Sequence, residues 1–259
     1  MSFLDVIDAG INTYFACRPR RKPPQTGIDQ VLLIAHRGAH GKTLQCVENT
    51  DAAFALALQL GCWGIELDVH VTADGVVVVN HDPDLKRLWG VDLVIKEISF
   101  TQLRACAPVV PSLAEVVERY GQSMHLFIEL KAPFSNERAL LAALRPLIPC
   151  VNYHIISLDE MSLASLSGFP RESLLLVAGH NNVRRFCELS LQKKYGGVLG
   201  HYLLLNEAKI NQLHSAQQMV GVGFVDSKFS LYREVKRGVS WVFSNNVAGV
   251  SGSLGTKDN

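Results

Sequence analysis

The chain has 259 residues, 48% of them apolar and 19% charged, with a formal net charge of +1. That length and apolar share suit one large core, and the near-neutral balance excludes the broad positive field that draws nucleic acid. No run reaches the roughly 18 apolar residues of a membrane span, and the six cysteines form no CxxC pair, which excludes zinc-ribbon and thioredoxin-like folds. The first thirty residues place apolar positions before the basic cluster, the reverse of a secretory signal. Singly scattered cysteines then read as reduced thiols of a cytoplasmic protein.

In chain order, Leu4, Ile7, Ile11, Tyr14 and Phe15 recur at helical spacing. The basic, proline-rich run from Arg18 to Gln25 ends that pattern. Residues 1–27 therefore read as an amphipathic helix with a basic linker. The helix either caps one end of the domain or, through residues 1–24, makes a peripheral membrane contact. From residue 28, strand-like apolar runs at 31–35, 64–71, 125–130, 151–157, 173–178, 197–204, 220–225 and 239–243 alternate with helical stretches. Strands buried on both faces read as such continuous apolar runs. Eight βα-like units point to a closed (β/α)8 barrel over residues 28–250, followed by a flexible tail at 251–259. Asp74-Gly75 is a hairpin signal. It predicts that the second strand folds back, carrying His81 towards Glu66 and Asp68, with a short excursion over 83–111.

Most of the polar chemistry lies at predicted strand ends, where barrel active sites form. Glu66 and Asp68 are two apart on a strand and face the same way. Glu129 closes the next strand. Three such carboxylates repel unless a cation or a proton sits among them, and hard cations such as Mg²⁺ or Ca²⁺ prefer oxygen ligands. His36 ends the first strand, and its ordinary pKa near 6.5 suits proton transfer. Arg37 can clamp a phosphate with its fork, and Gly38 permits a close turn. With His81 at the same mouth, the set predicts a general acid and base beside a metal, acting on a phosphodiester. Lys131 shares the Glu129 face and either neutralises phosphate or pairs with Glu129. Asn49 or Thr50 is a natural helix cap, and Glu48 is placed to reach the metal or the His36 region. His40, His125, His154, His180, His201 and His214 read as structural or surface positions.

The ordered set His36-Arg37-Gly38, Glu48-Asn49-Thr50, Glu66-Leu67-Asp68-Val69, Thr72, Asp74-Gly75, His81-Asp82 and Glu129-Leu130-Lys131 resembles the glycerophosphodiester phosphodiesterase family. Pro111-Ser112-Leu113 with Glu115, and Ser157-Leu158-Asp159, are similar to further segments of that family. The resemblance is strongest over residues 31–131. It implies a (β/α)8 barrel and hydrolysis of a small-molecule glycerophosphodiester to glycerol 3-phosphate and an alcohol. It also implies His36 and His81 in the acid and base roles, and a divalent cation on Glu66, Asp68 and Glu129. Arg37 and Lys131 would stabilise developing charge. Two strand ends depart from the family. Gly223-Phe224-Val225-Asp226 stands where Trp-Thr-Val-Asn is usual, and Ser244-Asn245 stands where Thr-Asp is usual. Phe224 and Trp241 are the aromatic residues expected to replace the altered substrate wall. Two alternatives follow: a lysophospholipase D-type enzyme at a membrane surface, and a non-catalytic barrel that binds phosphorylated ligands.

Overall fold

In this computed structural model residues 3–254 are described, residues 3–9 by their backbone alone. Two helices, α1 (Phe3–Cys17) and α2 (Gln25–Asp29), precede the first strand, β1 (Leu32–Ala35). The chain continues through α3 (Asp51–Gln59), β2 (Gly64–Val71), β3 (Val77–Val79), α4 (Lys86–Trp89), α5 (Phe100–Cys106) and α6 (Leu113–Tyr120). Then follow β4 (His125–Leu130), α7 (Glu137–Leu144), β5 (Tyr153–Ser157), α8 (Glu160–Ala164), β6 (Leu174–Ala178) and α9 (Val183–Lys193). The last units are β7 (Gly197–His201), α10 (Glu207–Ser215), β8 (Met219–Gly223), α11 (Lys228–Lys236), β9 (Trp241–Ser244) and α12 (Val247–Ser251).

Eight of the strands run parallel in the order β1-β9-β8-β7-β6-β5-β4-β2, and β1 pairs with β2 to close the barrel. β3 is the expected hairpin partner. It pairs antiparallel with Val69–Val71 of β2, above the barrel rim. Residues 83–111 form a small lobe in which Leu85, Ile95, Ile98 and Leu103 pack around Val78 of β3.

The barrel interior is filled by Ile34, Phe127, Ile156, Leu175, Leu199, Trp241 and Phe243. Filling by bulky side chains makes it a packed core, not a pore. The opposite strand faces bury against the helices in one continuous apolar layer. Polar residues start the helices where the loops leave the mouth. Thr50, Ser112, Asn136, Asp159, Asn206 and Ser227 each accept a first-turn backbone N–H. Such caps contribute about 1 kcal/mol each.

Some predicted ends shift. The fourth barrel strand, β5, starts at Tyr153, because Val151 lies exposed in a turn closed onto the Ile148 carbonyl. The sixth, β7, ends at His201, short of the expected residue 204. α12 runs across the expected start of the tail, and Leu254 packs on the core. Residues 255–259 lie outside the described part. The described side chains of α1 pack on the barrel. Phe15 meets Tyr202 edge-on at 5.6 Å, and the Tyr202 hydroxyl donates to Asn12. Leu4 and Ile7, also read into that face, lie outside the described side chains. All six cysteines are free. Among the described residues no helix is long and apolar enough to cross a membrane.

Candidate active site

The site starts at the turn after β1. Arg37 and Gly38 both adopt left-handed backbone, with φ of 56° and 78°. At Gly38 a Cβ would stand 2.8 Å from the Ala53 Cβ, so α3 closes over a position only glycine fills. The turn aims the Arg37 backbone N–H at Glu66 Oε2, 3.0 Å away.

β2 and β4 bring three carboxylates together. Asp68 pairs in register with Glu129, and Glu66 precedes Asp68 on the same face. All three are buried, and ligand oxygens from each lie within 4.8 Å of one another. Burial, then the charges of Asp68 and Glu129, push Glu66 well above its ordinary value. Burial and Asp68 raise Glu129 as well. Asp68 stays low: burial opposes its charge, but Lys131 and Arg37 more than offset it. Asn49, itself left-handed, grips Asp68 from behind. It donates Nδ2–H to Oδ2 at 2.7 Å and accepts the Asp68 backbone N–H at 3.3 Å. The set fits a hard divalent cation. It offers three oxygen donors, and buried Glu66 Oε1 has no hydrogen-bond partner.

Hydrogen bonds fix the tautomers of the two site histidines. Asn245 Nδ2 faces the Asp226 carboxylate, an acceptor, so Asn245 Oδ1 faces His36. The bond at 2.7 Å therefore runs from His36 Nδ1–H to Asn245 Oδ1, and Nε2 keeps its lone pair. Asp226 also holds the Asn245 backbone N–H at 2.7 Å and the Ser244 hydroxyl at 2.9 Å. Burial and neighbouring Arg37 hold His36 down to about 4, which keeps the ring neutral near pH 7. His81 donates Nδ1–H to Asp82 at 2.7 Å. Burial lowers its pKa, while Asp68 and Asp82 pull the other way. His70 donates to the His81 carbonyl at 3.1 Å and so braces that loop.

The cations are shared among the acids. Lys131 Nζ lies 2.7 Å from Asp68 Oδ1 and also contacts Glu129. Arg37 reaches Glu48 at 3.0 Å and Asp68 at 3.2 Å. Glu48 points to Arg37 and to Arg87, and Arg87 in turn holds Asp82, the partner of His81. Sequence reasoning missed Arg87, whose role depends on the path of the excursion. Of the two cap candidates, Thr50 is the cap, and Asn49 is the Asp68 clamp.

A cavity of about 400 Å³ opens over this set. His36, Arg37, Glu66, His81, Glu129 and Lys131 line one side. Ile156, Leu158, Leu199 and Phe224 line the other. Phe224 is left-handed, 42% exposed and edge-on to His36 at 5.8 Å. The other expected wall residue, Trp241, stands elsewhere. It is the first residue of β9, so it lies at the opposite end of the barrel, buried against Phe127 and His154. His180 and His201, read as structural or surface, line the cavity.

The geometry defines a (β/α)8 barrel with a carboxylate and histidine site at the C-terminal ends of its strands. The sequence pattern of the glycerophosphoryl diester phosphodiesterase family matches residues 36–145. Bacillus subtilis glycerophosphodiester phosphodiesterase is 26% identical over 254 residues, covering 84% of each chain. The crystal structure of Thermotoga maritima glycerophosphodiester phosphodiesterase covers 84% of this chain and 95% of that one, with a TM-score of 0.70 and 26% identity. Human lysophospholipase D GDPD1 is 46% identical over 70 residues, 27% of this chain. The match spans only 21% of the human protein and 33% of its rat counterpart. The matched segment, residues 36–145, carries His36, Glu66, Asp68, His81, Glu129 and Lys131, and the chain as a whole is similar to glycerophosphodiester phosphodiesterases over 84% of its length.

Proposed function

We propose that this chain hydrolyses glycerophosphodiesters to glycerol 3-phosphate and an alcohol. The observation that carries the reading is the convergence of Glu66, Asp68 and Glu129 beside two histidines with fixed Nδ1 protons. Glu66, Asp68 and Glu129 would hold a divalent cation, Mg²⁺ or Ca²⁺, which would supply Lewis-acid polarisation of the phosphoryl oxygens. His36 presents its Nε2 lone pair to the nucleophile and takes its proton as the new P–O bond forms; the nucleophile is a water, or the neighbouring glycerol hydroxyl with a water then opening the cyclic phosphate to glycerol 3-phosphate. His81, its Nδ1–H held by Asp82, gives a proton to the leaving alkoxide as the P–O bond breaks. Arg37 and Lys131 offset the charge that develops on phosphorus oxygens.

The test is release of glycerol 3-phosphate from glycerophosphocholine and glycerophosphoethanolamine with Mg²⁺, Ca²⁺ or EDTA. Release that needs metal and falls by at least about 10²-fold in His36→Ala and His81→Ala is expected. Folded protein that stays inactive with every metal would sink the reading.

A second reading, lysophospholipid hydrolysis at a membrane surface, draws support from the exposed apolar rim of Leu158 and Phe224. α1 adjoins that rim, because Asn12, Thr13 and Ala16 share a small cavity with Phe224. Deleting residues 1–24 should then reduce turnover on vesicles and spare water-soluble diesters, with melting temperature as the fold control. Equal survival of both activities removes this reading.

A further inference from the structure

Outside the active-site cavity, a second set of charges converges where the linker after α1 meets α11 and the start of α10. Arg20, Arg233, Lys236 and Arg237 line an open cavity of about 580 Å³, with Glu207 on its rim. Phe15 draws two of these cations together: the Arg233 guanidinium stands 4.9 Å and that of Arg20 5.5 Å from its ring centroid. Behind them, fully buried Glu234 pairs with both Arg233 and Arg237. Arg233 and Arg237 also donate to the Tyr202 carbonyl, and Arg237 to that of Leu205. The Arg237 side chain is only 8% exposed. Cations anchored this way lose little further freedom when a ligand arrives.

The charges do not balance. Four cations face two carboxylates, Glu207 and Glu234, so two positive charges are unmatched. Arg20 Nε is buried and has no hydrogen-bond partner, a costly state for a charged donor. Burial, then Arg233 and Arg18, push the Arg20 guanidinium below its ordinary value. Like charges crowded together have this effect.

We propose that this cavity binds a dianionic phosphate group, carried either by a soluble phosphomonoester or by the head group of an anionic phospholipid. Guanidinium forks and a lysine from separate elements suit the three-sided display of phosphate oxygens. A carboxylate would leave one positive charge unmatched. The inference does not depend on the reaction at the mouth.

The test titrates inorganic phosphate into the full chain at constant ionic strength. It compares Arg20→Ala and Lys236→Ala with Arg21→Ala, an exposed basic residue outside the cavity. Phosphate binding at the mouth is common to all of them, so the cavity variants report only the second site. Affinity at one site should weaken about tenfold in Arg20→Ala and Lys236→Ala and hold in Arg21→Ala. Lys236 is exposed, so its variant keeps the test decisive if Arg20→Ala disturbs the linker. A second arm measures co-sedimentation with phosphatidylcholine vesicles with and without phosphatidic acid. Loss of vesicle capture alone assigns the lipid head group, and loss of phosphate binding alone assigns the soluble ester. No loss in either arm, or an equal loss in Arg21→Ala, overturns the proposal.

Discussion

At the scale of single residues, the departure at the end of β9 carries more than the sequence revealed. Asn245 takes the His36 Nδ1 proton-side contact, and Asp226 fixes which way Asn245 points. Asn245→Ala frees the imidazole to exchange tautomers and rotate, so His36 Nε2 is no longer reliably a base. The expected result is a kcat about 10- to 100-fold lower, with KM and melting temperature little changed. Asn245→Asp keeps the acceptor and should restore most of the rate. Full activity in Asn245→Ala, or no rescue by Asp, would remove its positioning role. The carboxylates were legible because Glu66 and Asp68 obey the two-residue strand period. The Asn245 contact was not, because it joins residues 209 positions apart. Trp241 shows a related failure. Aromatic character marked it as a candidate wall, but only its place at the start of β9 shows that it faces away from the mouth.

At the scale of elements, β4 and β5 carry a polar pair inside the opposite end of the barrel. His125 Nδ1 bonds the Val151 carbonyl, which only accepts, so Nδ1 carries the proton. His125 Nε2 is then the acceptor for His154 Nδ1–H at 2.7 Å. Both rings are neutral near pH 7: burial holds His125 down to about 4, and burial, together with repulsion from His125 once that ring is protonated, holds His154 to about 3. An unfolded histidine titrates near 6.5. Folding stability from this pair is therefore full above about pH 6.5. It is lost as pH falls towards 4 and then 3, because the unfolded chain binds the protons first. Each ring can add a slope of up to about 1.4 kcal/mol per pH unit. Denaturant melts of the wild type and His154→Leu between pH 4 and 7 should show a shallower slope in the variant. Parallel curves would mean that the rings titrate normally. Element positions were largely readable, since eight apolar runs became the eight barrel strands. The histidine pair was read only as structural or surface positions, because pairing of β4 with β5 sets the Nε2–Nδ1 contact and single-strand patterns do not.

For the whole molecule, the barrel closes over a charge problem that its own residues only partly solve. Lys131 and Arg37 keep Asp68 ionised, yet burial and mutual repulsion still raise Glu66 and Glu129. Without a cation, the stability tied to those two carboxyls is present below their ordinary value and is lost as pH rises through the raised ones. At neutral pH the metal-free fold therefore carries repulsion that a divalent ion relieves. A ligand at 100 times its Kd stabilises the native state by about 2.7 kcal/mol. At roughly 2–4 °C per kcal/mol for a chain of this size, the melting temperature should rise by about 5–10 °C at pH 7. Glu129→Gln removes one of the repelling charges and one ligand together. It should raise the melting temperature in EDTA and blunt the response to Mg²⁺ or Ca²⁺. A variant with an unchanged EDTA melt and a full metal response would place the cation elsewhere.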